Sequence, residues 1–191
     1  MNLPNKLTLL RVLLIPVFIL ILFLPSWFGL SSGAAAWIAS IVFVAAGLTD
    51  LFDGRIARKN GLVTDFGKFM DPIADKLLTA SAMIMLTYLD RLHPAATIVF
   101  IAREFVISGF RLIAAGKGIV IAADKLGKAK TLLQIIFIVA LLLGSALPFS
   151  LLQPYYDWFW QAVVVATLVL SVVSCVHYIR NNKGVIDFHD C

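Results

Sequence analysis

Apolar residues run through this chain in six long stretches, at about 7–24, 35–55, 73–89, 94–115, 130–148 and 157–179, separated by short polar breaks. Each stretch is close to the roughly 20 residues that a helix needs to cross a hydrocarbon core of about 30 Å. Only helices or closed barrels satisfy the backbone in lipid. The pattern therefore predicts an all-α, polytopic membrane protein with six transmembrane helices in a single domain over residues 1–191. The breaks carry turn and cap signals. Asn5 can cap the first helix, Lys59-Asn60-Gly61 reads as a turn, and Thr64 or Asp65 can cap the third helix. Pro72 falls in an early turn of that helix or marks a kink. Asp90 to Pro94 forms a short turn with His93 as an ordinary loop residue, and Gly116-Lys117-Gly118 ends the fourth helix.

Composition agrees with the pattern. Of 191 residues 61% are hydrophobic, only 14% are charged, and the mean hydropathy is +0.95, outside the soluble range. With the N-terminus placed in the cytoplasm, six spans put 15 of the 16 basic residues at or near cytoplasmic ends, leaving only Arg91 outside. Both termini are then cytoplasmic. Trp27, Trp37, Trp158 and Trp160 fall at the opposite ends, as an aromatic belt does. The net charge of +5 is thereby read as topology and phosphate handling, not as nucleic-acid binding. Cys175 and Cys191 lie near the reducing side and are expected to stay free. A basic start before an apolar run also has the look of a signal peptide, with Ala34-Ala35-Ala36 as a small-residue cleavage site. Removal of that run would spoil the charge topology, so a retained span is expected.

Charge interrupts the apolar pattern most densely at residues 50–75. Asp50 and Asp53 are spaced i,i+3 and share one helix face, with Ala57 on that face and Gly54 at its edge. Asp71 and Asp75 are spaced i,i+4 on the next helix. If the two helices are antiparallel neighbours, four carboxylates converge on one point. Such an all-oxygen set, without His or Cys, suits a hard cation such as Mg²⁺ or Mn²⁺. Gly54, Ala57 and Gly67 leave room for a flat ligand against the backbone, and Arg58 can meet a phosphate. Charge beside lipid is costly and by default functional. Solvated caps on two helices would explain one or two of these aspartates more easily than four.

The second interruption spans residues 103–134. Arg103, Glu104 and Arg111 lie inside an apolar stretch, and Arg103 and Arg111, eight apart, fall close to one face. Buried cations there need an anion as partner. Glu104 can pair with Arg111 or with a base on another helix. Gly127-Lys128-Ala129-Lys130-Thr131 opens the fifth span, where a helix N-terminus and two lysines favour phosphate. Arg103, Arg111, Lys128 and Lys130 are accordingly read as phosphate ligands, and Lys117 and Lys125 as topogenic charge. In the first span Arg11 either snorkels to the headgroups or points at a phosphate. His177 and Tyr178 reach the inner end of the last span, where packing is the simpler reading.

The run D-x-x-D-G-x-x-A-R-x8-G-x-x-x-D-x-x-x-D from Asp50 to Asp75 resembles the signature of the CDP-alcohol phosphotransferase family at every fixed position. Eight fixed positions at roughly one-in-twenty frequency match by chance on the order of 10⁻¹⁰ per start site. The opening PNxLTxxR, with Asn5, Thr8 and Arg11, and the later ARE…R…GKxKT…Q are similar to bacterial phosphatidylglycerophosphate synthases within that family. The resemblance implies transfer of a phosphatidyl group from CDP-diacylglycerol to glycerol 3-phosphate, with release of CMP by direct displacement. It implies two Mg²⁺ or Mn²⁺ ions on Asp50, Asp53, Asp71 and Asp75, and Asp75 as the general base. Asp53, Gly54, Ala57, Arg58 and Gly67 would form the cytidine-diphosphate pocket, and Arg103, Arg111, Lys128 and Lys130 the acceptor-phosphate site. Asn5, Thr8, Arg11 and Tyr178 are secondary candidates. It further implies a homodimer in the bacterial cytoplasmic membrane, its active site facing the cytoplasm. Two alternatives keep the chemistry and change the acceptor, to phosphatidylglycerol (a cardiolipin synthase) or to inositol phosphate. A divalent-cation transporter would need carboxylates through the membrane depth, and all four lie at one end.

Overall fold

A computed structural model describes the backbone of residues 3–60, 65–119, 121, 125–144, 146 and 152–185. Side chains are described for 7–49, 70, 73–119, 121, 126–144, 146 and 152–184. The chain forms six α-helices: α1 (Leu3–Phe28), α2 (Ser32–Asn60), α3 (Asp65–Tyr88), α4 (Pro94–Gly116), α5 (Lys125–Leu143) and α6 (Gln153–Asn181), then a 3₁₀ turn at Lys183–Val185. Helices α1, α2, α5 and α6 are long and apolar enough to cross a membrane. Helices α3 and α4 have 24 and 23 residues, but carry Asp71, Asp75 and Lys76, and Arg103, Glu104 and Arg111, within them.

Local chemistry explains where the helices stop. Gly29, at φ +67°, ends α1 by taking the left-handed conformation that L side chains disfavour. At the end of α4, Gly118 (φ +74°) allows Ile119 N–H to reach Ala114 O at 2.9 Å while its own N–H reaches Ala115 O at 3.0 Å. This double closure satisfies two terminal carbonyls. His93, read from sequence as an ordinary loop residue, is the N-cap of α4: its Nδ1 accepts from Ala95 N–H at 3.2 Å, and Pro94 follows in the first turn. Asn5, expected to cap α1, lies within the helix backbone, and its side chain lies outside the described residues. The helix begins at Leu3 with Pro4 in its first turn, where a missing N–H costs nothing. Helix α3 begins at Asp65 and runs through Pro72, and α5 begins five residues before the apolar stretch that predicts it, because its lysines are good helix formers.

The helices alternate in direction across short connections and bury one stripe each. Thr8, Arg11, Ile15, Phe18 and Leu22 recur at helical spacing on the inner face of α1. They meet a stripe on α2 in which the small residues Ala35, Ala39 and Ala46 let the helices pack closely, while Phe43 packs against Phe18. Helix α3 packs on α1, α2, α4 and α5, while α6 covers α5 and α4. The core is completed by Met83, Leu86, Phe100, Phe137, Ile138 and Leu142. Outside it, large apolar side chains such as Leu13, Ile41, Ile84, Ile98, Leu112, Leu132 and Val165 are half exposed or more. An exterior of this kind is stable against lipid, not water.

Arg91, the one basic residue placed on the far side by sequence, clamps that end of the bundle. Its Nη1 donates to Leu141 O at 2.8 Å and Leu142 O at 2.9 Å, carbonyls in the last turn of α5. Gln161 Nε2 on α6 donates to Arg91 O at 2.8 Å, so three elements meet at one residue. Burial pulls the guanidinium below its usual pKa, and Asp157 opposes that pull. Replacing Arg91 by Ala is expected to destabilise the detergent-solubilised protein by about 2–3 kcal/mol, read as a lower unfolding temperature, since two charge-assisted bonds are lost. Lys117→Ala, at an exposed position, is expected to leave that temperature unchanged.

Candidate active site at one end of the bundle

Alternation of the helices gathers the chemistry-bearing residues at one end: the start of α1, the end of α2, the start of α3, the latter half of α4, the start of α5 and the end of α6. Helix α2 continues through Asp50, Asp53, Gly54, Ala57 and Arg58, and α3 runs through Gly67, Asp71 and Asp75. The helical spacing on which the aspartate reading rests is therefore present in the backbone, and α2 packs against α3. The side chains from Asp50 to Arg58, and those of Gly67 and Asp71, lie outside the described residues, as does that of Asn5. Asp75 is described. Its side chain is exposed, and it acts electrostatically on Lys130 of α5.

Helix α1 supplies a buried cation beside the aspartate segment. Arg11 is 0% exposed, and its Nε donates to Ala46 O at 3.2 Å, one turn before Asp50. It does not snorkel to the headgroups, because the whole side chain is enclosed between α1 and α2. Thr8, one turn earlier, is buried with it.

The centre of the second cluster is Glu104 on α4. Lys130 Nζ, on a side chain with 0% exposure, donates to Glu104 Oε1 and forms an ion pair with it. Of the two partners left open for Glu104 by the sequence, the structure selects the base on another helix. The same Oε1 lies 3.5 Å from Arg103 Nη1. Arg103 Nη2 donates in turn to Ser174 Oγ on α6 at 3.2 Å. The N-terminal turn of α5 closes over this bond, since a Cβ at Gly127 would sit 3.7 Å from Arg103 Nη2 and 4.0 Å from Ser174 Oγ. Two helical turns along α4, Arg111 Nε donates to Tyr178 OH at 3.2 Å, with the guanidinium carbon 5.4 Å from the ring centroid. Lys128 is exposed on α5 and takes no part in the buried network.

Sequence reading missed most of α6's contribution. Thr167, Ser171, Ser174 and Tyr178 are all buried and recur at intervals of four, three and four residues, one polar stripe in an otherwise apolar helix. The spacing was visible in the sequence, but serine and threonine pass easily in membrane helices by bonding back to their own backbone, as Thr167 does to Val163 O at 2.7 Å. Gln134, one turn past Lys130, is likewise buried. A cavity of about 470 Å³ lies at the other end, between Asp90, Arg91, Gly144, Tyr156, Asp157 and Gln161. It is separate from all of these groups, and its polar lining is largely satisfied within the protein.

Comparison with known proteins accounts for the arrangement. A profile of the CDP-alcohol phosphatidyltransferase family matches residues 1–176, from α1 into the last turns of α6. A CDP-diacylglycerol–glycerol-3-phosphate 3-phosphatidyltransferase of Bacillus subtilis (strain 168) is 46% identical over 189 residues, covering 95% of each chain. Its namesake in Rickettsia typhi (strain ATCC VR-144 / Wilmington) is 43% identical over 144 residues, 75% of this chain and 78% of the relative. A probable phosphatidylglycerophosphate synthase of Mycobacterium tuberculosis (strain ATCC 25618 / H37Rv) is 38% identical over 178 residues, 93% of this chain and 80% of the relative. With the aspartate pattern on two packed helices and a match that runs through all six, the chain belongs to the CDP-alcohol phosphatidyltransferase family.

Proposed function

We propose that this protein transfers the phosphatidyl group of CDP-diacylglycerol to glycerol 3-phosphate, giving phosphatidylglycerophosphate and CMP. The observation that carries the proposal is the full-length similarity to relatives bearing that activity in their names, at up to 46% identity. The proposed setting is the bacterial cytoplasmic membrane, with six spans, both termini and the active site facing the cytoplasm, and a homodimer as the working unit. A polar nucleotide and a soluble acceptor then arrive from water while the acyl chains stay in lipid.

The aspartate set fits a divalent cation by its chemistry: four carboxylates, no sulfur and no imidazole, on two helices that pack together. Asp50, Asp53, Asp71 and Asp75 would hold Mg²⁺ or Mn²⁺, two ions in this reading. Bound there, the metal neutralises the donor pyrophosphate and the leaving CMP. The chain's own groups do the rest. Gly54, Ala57 and Gly67 admit the nucleotide against the backbone, with Asp53 and Arg58 beside it. Asp75 takes the proton of the acceptor hydroxyl as that oxygen bonds to the phosphorus bearing diacylglycerol. The bond from this phosphorus to the bridging oxygen breaks, and CMP departs with the electron pair. Arg103, Arg111, Lys128 and Lys130 supply the positive charge for the acceptor phosphate, Arg111 and Lys128 from exposed positions and Lys130 from below through its buried ammonium. Asn5, Thr8, Arg11 and Tyr178 line or brace the same end.

Purified protein given CDP-diacylglycerol is expected to release CMP with glycerol 3-phosphate, and not with phosphatidylglycerol or inositol phosphate. Release with either of those alone reassigns the acceptor. Excess chelator is expected to abolish turnover, and Asp75→Asn to lower kcat while both substrates still bind.

Arg111→Ala and Lys128→Ala are expected to raise KM for glycerol 3-phosphate and leave that for CDP-diacylglycerol almost unchanged. Loss of a charge-assisted contact of roughly 1.5–3 kcal/mol corresponds to about a tenfold to hundredfold drop in kcat/KM. A rise in the donor KM alone contradicts this division of the site.

For topology, alkaline phosphatase fused after Lys183 is expected to be inactive, and a fluorescent protein fused there to fluoresce. An active phosphatase places that end outside.

A further inference from the structure

Arg103 is held on two of its three nitrogens and empty on the third. Nη1 lies 3.5 Å from Glu104 Oε1 and Nη2 donates to Ser174 Oγ, while Nε is buried with no hydrogen-bond partner. Its side chain is only 10% exposed, so water does not readily supply the missing acceptor. An unanswered N–H on a buried guanidinium is costly, and it is a donor in waiting. Glu104 in turn does not belong to Arg103 alone. The same Oε1 is also paired with Lys130 of α5, whose side chain is fully buried. The order of contacts is thus Lys130, Glu104, Arg103, Ser174, crossing from α5 through α4 to α6.

We propose that Glu104 and Ser174 are positioning residues that hold the Arg103 guanidinium so that its Nε meets a phosphate oxygen of the acceptor, with Lys130 as the buried anchor of Glu104. This rests on the acceptor reading given above and adds to it. The acid in the cluster does not compete for the phosphate; it fixes the geometry of the base that binds it. A guanidinium free to rotate would lose rotamer entropy on each binding event, and a guanidinium clamped on two nitrogens has lost it already. The arrangement also explains why an acidic side chain sits among cations in a place meant for an anion. Two bases against one acid leave a surplus positive charge for the ligand.

The test uses the full-length protein in detergent with CDP-diacylglycerol and glycerol 3-phosphate. Glu104→Gln is expected to raise KM for glycerol 3-phosphate about tenfold or more and to leave KM for CDP-diacylglycerol within about twofold. Ser174→Ala is expected to do the same by a smaller factor. Because Glu104→Gln strands a buried ammonium and lowers stability, Glu104→Gln/Lys130→Met removes both charges at similar volume. That double variant is expected to regain the wild-type unfolding temperature with the acceptor KM still high. Ser174→Ala, which leaves Lys130 in place, is expected to show the rise without loss of a phosphate-site base. If the double variant regains the wild-type KM as well, the ion pair only locks α4 to α5 and the proposal falls. An unchanged acceptor KM in Ser174→Ala also overturns it. Equal rises in both KM values overturn it too. Binding of radiolabelled glycerol 3-phosphate without donor separates this idea from the reaction it rests on. Wild-type protein that binds the label but releases no CMP overturns the proposed reaction, and about tenfold weaker binding by Glu104→Gln then upholds the positioning role. Unchanged binding by Glu104→Gln, or no binding by the wild type, overturns it.

Discussion

A lysine ammonium with no exposed surface cannot stand alone in an apolar bundle, and Lys130 stands against Glu104. Such a pair adds little net stability, because desolvating two ions consumes most of their attraction. Its strength lies in the penalty for separation: a shift of α4 relative to α5 would leave the buried ammonium of Lys130 without its half-buried partner. The pair therefore fixes the register of these helices, and with it the place of Arg103 on one side and of Gly127 over the Arg103–Ser174 bond on the other. Helix α6, bonded to Arg103 through Ser174 and to Arg111 through Tyr178, is fixed by the same frame. Asp75 of α3 comes within electrostatic reach of Lys130, which ties the aspartate helices to the cationic ones.

The two ends of the bundle solve different problems. At the Arg91 end, a guanidinium bonds to two carbonyls in the last turn of α5, and Gln161 bonds to Arg91 in turn. At the other end, among the described residues, Arg103 keeps one buried nitrogen without a hydrogen-bond partner. The first is the balance of a structural clamp; the second is the feature on which the proposed anion site rests. Between them the exterior is apolar and the core is filled by Phe18, Phe43, Met83, Phe100 and Phe137.

Most of the helical plan was legible in the sequence, because long apolar stretches and glycine breaks follow from backbone and lipid physics. Each of the six stretches holds one helix, the fifth ending at Leu143 short of the predicted boundary, and Gly116-Lys117-Gly118 does end α4. The errors arose where charge and propensity compete. Lysines at the start of α5 read as loop but extend the helix, and Pro4 makes Leu3 the start of α1, so that Asn5 falls inside it. Arg91 was legible as an outlier in charge but not as a clamp, since its carbonyl partners lie about fifty residues away. For the site, spacing brought the aspartates and the cations to one end. It left the partner of Glu104 open, because pairing across α4 and α5 depends on rotation of both helices. The serines of α6 were overlooked because their meaning appears only when Arg103 is placed against them.

Two half-sites, carboxylates on α2 and α3 and cations on α4 and α5 braced by α6, are proposed to meet at one end around Asp75 and Lys130. A structure determined with Mn²⁺ and glycerol 3-phosphate, the metal located by anomalous scattering, tests this most directly. The predicted result is manganese on Asp50, Asp53, Asp71 and Asp75, with the phosphate within hydrogen-bond distance of Arg103 Nε. Manganese away from those aspartates, or phosphate bound in the Arg91 cavity at the far end, would contradict it.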